Sequence, residues 1–234
     1  MCTVIVHVPE DPGAAVRLLA VRDEDPTRAW DPLGTWWPEL PGVVGVRDTR
    51  AGGAWLAADP AAGRLAVVLN RADLIDDAAA TGSRGHIVLD AVAGRALADA
   101  PPTHGFNLLE VSSGRARVSM WDGESVRVAE LAPGVHMIAH DDVDDPKTAR
   151  IAAWRSRFAE TAAQGDWVEA WLAALEETTE LPPTDDRAII RDNRPHGYPT
   201  LSLLLCTASV TDAGAEVSYA QLDQPGAWNH LDLH

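Results

Sequence analysis

The chain has only two cysteines, Cys2 and Cys206, in 234 residues. That excludes a disulfide framework and leaves each sulfur a candidate free thiol. Positive charge is also scarce. Nineteen Lys and Arg stand against 35 Asp and Glu, a formal net charge of −16. Nucleic acid and anionic membrane surfaces repel such a chain, so neither is an expected partner. Long apolar runs are missing: LSLLLCTASV near residue 201 is of strand length, far short of a bilayer span, so no membrane insertion is expected. No basic segment precedes an apolar one at the start, where Glu10 and Asp11 come early. A secretory leader is therefore not expected, and the cytoplasm is the expected location. The eight histidines show no metal-ligand spacing, so no metal centre is expected. RAGGAWL lacks the Gly-Lys-Ser/Thr of a phosphate loop, and DDVDD at 141–145 lacks the glycine and distal glutamate of a calcium loop.

What is present is a series of short strand-like runs. CTVIVHV (2–8), AVRLLAV (15–21), VVGVR (43–47), GAWLAA (53–58) and RLAVVLN (64–70) are separated by turn residues. HIVLDAVAGRALADA (86–100) has helical spacing. FNLLEV, RARVSMW, SVRVAEL and GVHMIA continue the strands over 106–139. DDPKTARIAAWRSRF predicts a helix with Asp145 as N-cap and Pro146 in its first position. DWVEAWLAALEE predicts another, with Trp167, Trp171 and Leu175 on one stripe. TLSLLLCTASV and AEVSYAQL close the chain as a hairpin across a DAG turn. About ten strands exceed one small sheet, so the expectation is an α+β fold of two stacked sheets flanked by helices, a single domain over 1–234.

The first residues carry the chemistry. MCTVIV places a cysteine directly after the start methionine, and loss of Met1 leaves Cys2 with a free thiol and a free α-amine on one carbon. The thiolate is the nucleophile, and an α-amine of pKa about 7.7–8.0 is a suitable acceptor for the thiol proton. If the first two strands pair as a hairpin, the VRDED segment brings Arg22 and Asp23 beside Cys2. Arg22 then favours the thiolate, and Asp23 orients the amine. Consecutive strand residues face opposite ways, so both side chains serve Cys2 only where the strand ends or bulges. Asn70, ending RLAVVLN, is the candidate oxyanion donor. The plainer alternative makes Cys2 a small strand residue and Arg22–Asp23 an ordinary ion pair.

The blocks MCTVIV, LLAVRDEDPTRAW, GVRDTRAGGAWLA, GRLAVVLNR, SRGHIVLD, HGFNLLEV and LAPGVHMIAHDDVDDPK, in that order, resemble those of the NRDE family, also called the transport and Golgi organization 2 family. The resemblance covers about the first two-thirds of the chain, with an echo in HGYPTLSLLL. It implies a four-layer αββα fold like that of the N-terminal-nucleophile hydrolases, with two stacked, mainly antiparallel sheets. It also implies a distant likeness to cysteine amidohydrolases acting on bile salts and penicillin V, in which Cys2, Arg22, Asp23 and Asn70 fall at functional positions. The chain departs from the pattern in three places. Val21 stands where the family has Asn, Ala139-His140 where it has Ser-Asn, and Pro199 and Leu201 interrupt a Tyr-Gly-Thr-Arg. His140 is the expected replacement donor; Leu201 has no donor to offer.

Two functions follow. One is a cysteine hydrolase acting on a non-peptide C–N bond of a small molecule, which requires no cofactor. The other is a carrier on the same scaffold with reduced catalysis, for which the resemblance implies haem or acyl-coenzyme A as ligand. Trp36 and Trp37 in PLGTWWPEL are candidates to line an apolar pocket. Arg47, Arg71 and Arg84, with Arg22, are candidates for a locally basic patch on an acidic protein. His104, His136, His140 and His196 are the candidate haem ligands. Cys206, inside an apolar run, reads as core.

Overall fold

The computed structural model describes residues 2–75, 78–112, 114–162, 164–229, 231 and 233–234. In chain order the strands are β1 (Thr3–Val8), β2 (Val16–Glu24), β3 (Trp30–Gly34), β4 (Val44–Asp48), β5 (Ala54–Asp59) and β6 (Arg64–Asn70). They continue as β7 (Phe106–Ser112), β8 (Arg115–Trp121), β9 (Val126–Glu130), β10 (Gly134–Ile138), β11 (Leu201–Thr211) and β12 (Gly214–Gln221). Helix α1 is Arg84–Val92, α2 is Ala149–Thr161 and α3 is Trp167–Glu177. Two antiparallel sheets form. One has the order β10-β1-β2-β11-β12, and the other is a meander from β3 to β9.

Period-two alternation dictates the layers. Along β1 and β2, Val4, Val6, Leu18 and Ala20 point between the sheets, where they meet Leu56, Val67, Leu109 and Val118. Their neighbours Ile5, Leu19 and Val21 point outward and pack under α2 and α3 with Ile151, Phe158, Trp171 and Leu175. On the far side α1 covers the meander through Val88, Leu89 and Val92, against Ala57, Ala66 and Leu108. The order is therefore helix, sheet, sheet, helix, as the strand-rich sequence and the resemblance both led us to expect. Trp171 is fully buried, with its ring edge-on to Phe158 at 5.9 Å. Truncating such a side chain costs about 3–5 kcal/mol.

Three sequence expectations are corrected. The helix read over 86–100 ends at Val92, because Gly94 takes φ 74° and Arg95 N–H closes back onto Asp90 O. Helix α2 begins at Ala149 with Thr148 as its N-cap. Asp145 does not cap it; that carboxylate accepts from Lys147 N at 2.9 Å in a turn one step earlier. The stretch holding Trp36 and Trp37 is preceded by β3, which none of the strand-like runs read from the sequence covers and which contains Pro32. β3 is an edge strand paired only with β4, where a missing N–H is tolerated. No helix among the described residues is long and apolar enough to cross a membrane.

Candidate active site

The strand registers gather the candidate residues at one end of the sandwich. β1, β7 and β11 begin there, and β2, β4, β6 and β10 end there. Contacts across the sheets fix this alignment. Asn107 Nδ2 donates to the carbonyls of Ala139 (2.9 Å) and Asp141 (2.7 Å), and Arg71 lies 2.6 Å from Asp142. Arg28, between β2 and β3, bridges Glu24 at 3.9 Å and Asp48.

Cys2 precedes β1 and is 8% exposed. Because β1 and β2 pair from Thr3↔Val21 to His7↔Arg17, Cys2 meets the end of β2, as the hairpin argument requires. Its Sγ accepts from Asp23 N at 3.4 Å and lies 3.6 Å from Asp23 O. Burial pushes the thiol up, and the Asp23 carboxylate adds to that push. The Asp23 main-chain bond and the Arg22 guanidinium pull the other way. Cys206, by contrast, is fully buried and pushed up to about 12 by desolvation, which makes it an inert core thiol.

Arg22 follows Leu18 and Ala20 into the layer between the sheets. It is 3% exposed, and its Nη2 is 3.4 Å from Glu24 Oε2. Its buried Nη1 has no hydrogen-bond partner among the described residues. The expectation that β2 ends near Arg22 is corrected, since the strand runs on to Glu24. The irregularity falls in β11 opposite, between Ser202 and Leu204. The Asp23 side chain therefore faces the helices, where Oδ1 accepts from Ser202 Oγ at 2.6 Å and Oδ2 from Asn193 Nδ2 at 3.2 Å. Asp23 meets the sulfur through its main chain. Met1, whose removal would expose the α-amine, lies outside the described residues.

A second buried guanidinium stands beside Cys2. Arg150, in the first turn of α2, is 2% exposed. Its Nη2 is 3.5 Å from Cys2 O and 3.5 Å from His140 Nδ1. Burial, then repulsion from Arg191, brings it down to about 10, so it stays charged at neutral pH. His140 is half-buried, and its Nε2 lies 3.5 Å from Asp141 Oδ2. Desolvation and the Arg150 charge hold this imidazole below its ordinary value.

Asn70 does end β6 at this face, but it is exposed, and its side chain makes no hydrogen bond to another described residue. The buried amide here is Asn107, which lies beside Asn70's partner Phe106 on β7. Leu201 is buried where β11 pairs with Glu24.

The ligand-binding candidates divide. Arg84 donates to Gly105 O at 3.1 Å; burial lowers its pKa, while Asp73, Glu24 and Cys2 are close enough to oppose the shift. Arg71 is held between Asp142 and Asn107. Arg47 is 2.6 Å from Asp31 and stacks over the Trp36 ring at 5.1 Å. Trp37 lines neither of the two cavities beside α1. It is 6% exposed, donates to Gly52 O at 2.8 Å and packs with Val43 and Val88 under α1. The histidines proposed as haem ligands are dispersed and engaged: His104 with Asp73, His136 with Asp144, His140 with Asp141, and His196 with Thr184 O. Among the described residues no group of His, Cys, Asp and Glu is arranged to hold a metal ion. Two cavities of about 160 Å³ and 310 Å³ lie on the outer face of the meander beside α1, and neither touches Cys2.

The sequence profile of the transport and Golgi organisation 2 family matches residues 1–205. The chain belongs to this family. No curated protein matches the sequence. Among solved structures, the chain is similar to the Caenorhabditis elegans ortholog of N-acylethanolamine-hydrolyzing acid amidase. That match has a TM-score of 0.54 and 10% identity, covering 88% of this chain and 92% of that one. At that identity the likeness carries the fold alone, and the fold is that of the N-terminal-nucleophile hydrolases.

Four residues of this family member's site escaped sequence reasoning: Arg150, Asn107, Asn193 and Ser202. Only Ser202 left a signal, as a polar residue at the head of an apolar strand.

Proposed function

We propose that the chain is an N-terminal cysteine hydrolase that cleaves a non-peptide C–N bond of a small-molecule amide through an acyl-enzyme. The supporting observation is the Cys2 sulfur, 3.4 Å from the Asp23 main-chain nitrogen, beside buried Arg22 and at the end of the sandwich that collects Arg150, His140 and Arg84. Loss of Met1 frees the α-amine, which takes the thiol proton. The thiolate attacks the amide carbon, the C–N bond breaks, and the amine leaves with that proton. Water then cleaves the thioester, releasing the acid and restoring the thiol. Arg22 stabilises the thiolate, and Asn70 or His140 supplies hydrogen bonds to the oxyanion. Intact mass of the active protein tests this. The expected result is a chain lacking Met1 that takes up one equivalent of an acylating probe at Cys2 and none in Cys2→Ala. Retained Met1 in functional protein overturns it.

A second reading is a carrier of haem or acyl-coenzyme A with reduced catalysis, favoured by the raised Cys2 thiol and by Leu201, which offers no donor. A shift of the haem Soret band on titration, or acyl-coenzyme A binding by calorimetry, supports it. Absence of both removes it.

A further inference from the structure

A histidine beside a reactive cysteine invites assignment as its general base, and the surroundings of His140 argue otherwise. The Arg150 guanidinium reaches His140 Nδ1 at 3.5 Å. A guanidinium has donors and no acceptor, so Nδ1 must present its lone pair. On the other edge of the ring, Asp141 Oδ2 lies 3.5 Å from Nε2. A carboxylate accepts, so its field favours the hydrogen on Nε2 over a lone pair there. Both neighbours favour one tautomer. The same helix turn ties them down, because Thr148 Oγ1, at the N-cap of α2, donates to Asp141 Oδ2 at 2.7 Å. Arg150 also reaches Cys2 O at 3.5 Å, so the ring is fixed relative to the main chain of Cys2.

We propose that Arg150 is a positioning residue that holds His140 as the neutral Nε2–H tautomer, a hydrogen-bond donor, and closes off a Cys–His dyad. The only basic lone pair of that tautomer is on Nδ1, and the guanidinium covers it. Among the described residues, the charged groups acting on the ring are Arg150 from α2, Asp141 from its own loop and Arg191 from the segment before β11. Burial and the two arginines outweigh the single carboxylate and keep the ring uncharged at neutral pH. The consequence for catalysis, that the thiol proton goes to the α-amine, rests on the hydrolase reading; the tautomer does not.

Long-range ¹H–¹⁵N correlations of the histidine rings in the wild-type protein test the assignment, with His140→Asn identifying the signal. The expected spectrum is a neutral Nε2–H ring at pH 7 and above. A Nδ1–H ring, or an imidazolium at pH 7, overturns the proposal. In Arg150→Met, loss of a charge-assisted bond is expected to shift the tautomer ratio toward Nδ1–H by about tenfold. Arg150→Lys, which keeps a donor, is expected to restore it. An unchanged ratio in a folded Arg150→Met protein removes Arg150 from the role. Should that variant not fold, the wild-type spectrum still decides the tautomer and Arg150→Lys the donor. Failure of Cys2 to acylate would end the hydrolase reading and leave the ring spectrum standing. A Nδ1–H ring with normal acylation would do the reverse.

Discussion

The Asp23 main-chain nitrogen lies 3.4 Å from the Cys2 sulfur, while the Asp23 carboxylate, across the sheet, accepts from Ser202 at 2.6 Å. One residue thus holds the thiol on one face of β2 and is itself held on the other.

Ser202→Ala tests that anchor. It leaves a buried carboxylate short of one hydrogen bond and is expected to cost about 1–3 kcal/mol in denaturant unfolding. It is also expected to alter the alkylation rate of Cys2, since the Asp23 main chain moves with its side chain. A loss within about 0.5 kcal/mol, the range of an ordinary surface change, would show that the contact does not anchor Asp23.

Arg22→Met separates reactivity from stability. Arg22 lowers the pKa of the Cys2 thiol, yet its buried Nη1 has no hydrogen-bond partner among the described residues. Its partner Glu24, 3.4 Å from Nη2, is a quarter exposed and keeps water in place of the guanidinium, so losing the buried charge removes a desolvation cost and leaves no stranded ion. The expected variant therefore unfolds at the same or a higher temperature and alkylates more slowly at neutral pH. Faster alkylation would show that Arg22 does not favour the thiolate.

Stability should depend on pH through His136 and Asp144. The bond to Asp144 at 2.7 Å raises the His136 pKa above its ordinary value. This contribution is complete below about pH 6.5 and is lost as pH rises through the raised value. Burial opposes ionisation of Asp144, but the bonds from His136 and Met137 N prevail and lower its pKa. The Asp144 contribution is complete above about pH 3.9 and is lost as pH falls through the depressed value. The stability difference between wild type and His136→Asn is thus expected to peak near pH 5 and shrink by pH 9. Denaturant melts across that range measure it, and a difference that grows with pH would contradict the pairing.

The sheets were legible because period-two alternation survives in nearly every strand, and a hairpin needs only its turn to be recognised. That reasoning placed Arg22 beside Cys2 from local sequence alone. β3 was not read as a strand; it contains Pro32, which an edge strand tolerates. The charge network was not legible. Arg150, Asn193 and Ser202 meet Cys2 and Asp23 from 148, 170 and 179 residues away, and no periodicity encodes which distant polar groups converge. Trp37 misled for a related reason. Its neighbours in sequence are loop-like, and its burial comes from α1, which sits on it from about fifty residues further along the chain.

The split allegiance of Asp23 has a practical meaning for anyone wishing to retune this protein. Changes at Ser202 or Asn193 act on the thiol by shifting the Asp23 main chain, whereas a change at Arg22, between the sheets, acts on its charge. The placement of the sulfur and its ionisation can therefore be adjusted from opposite sides of one sheet.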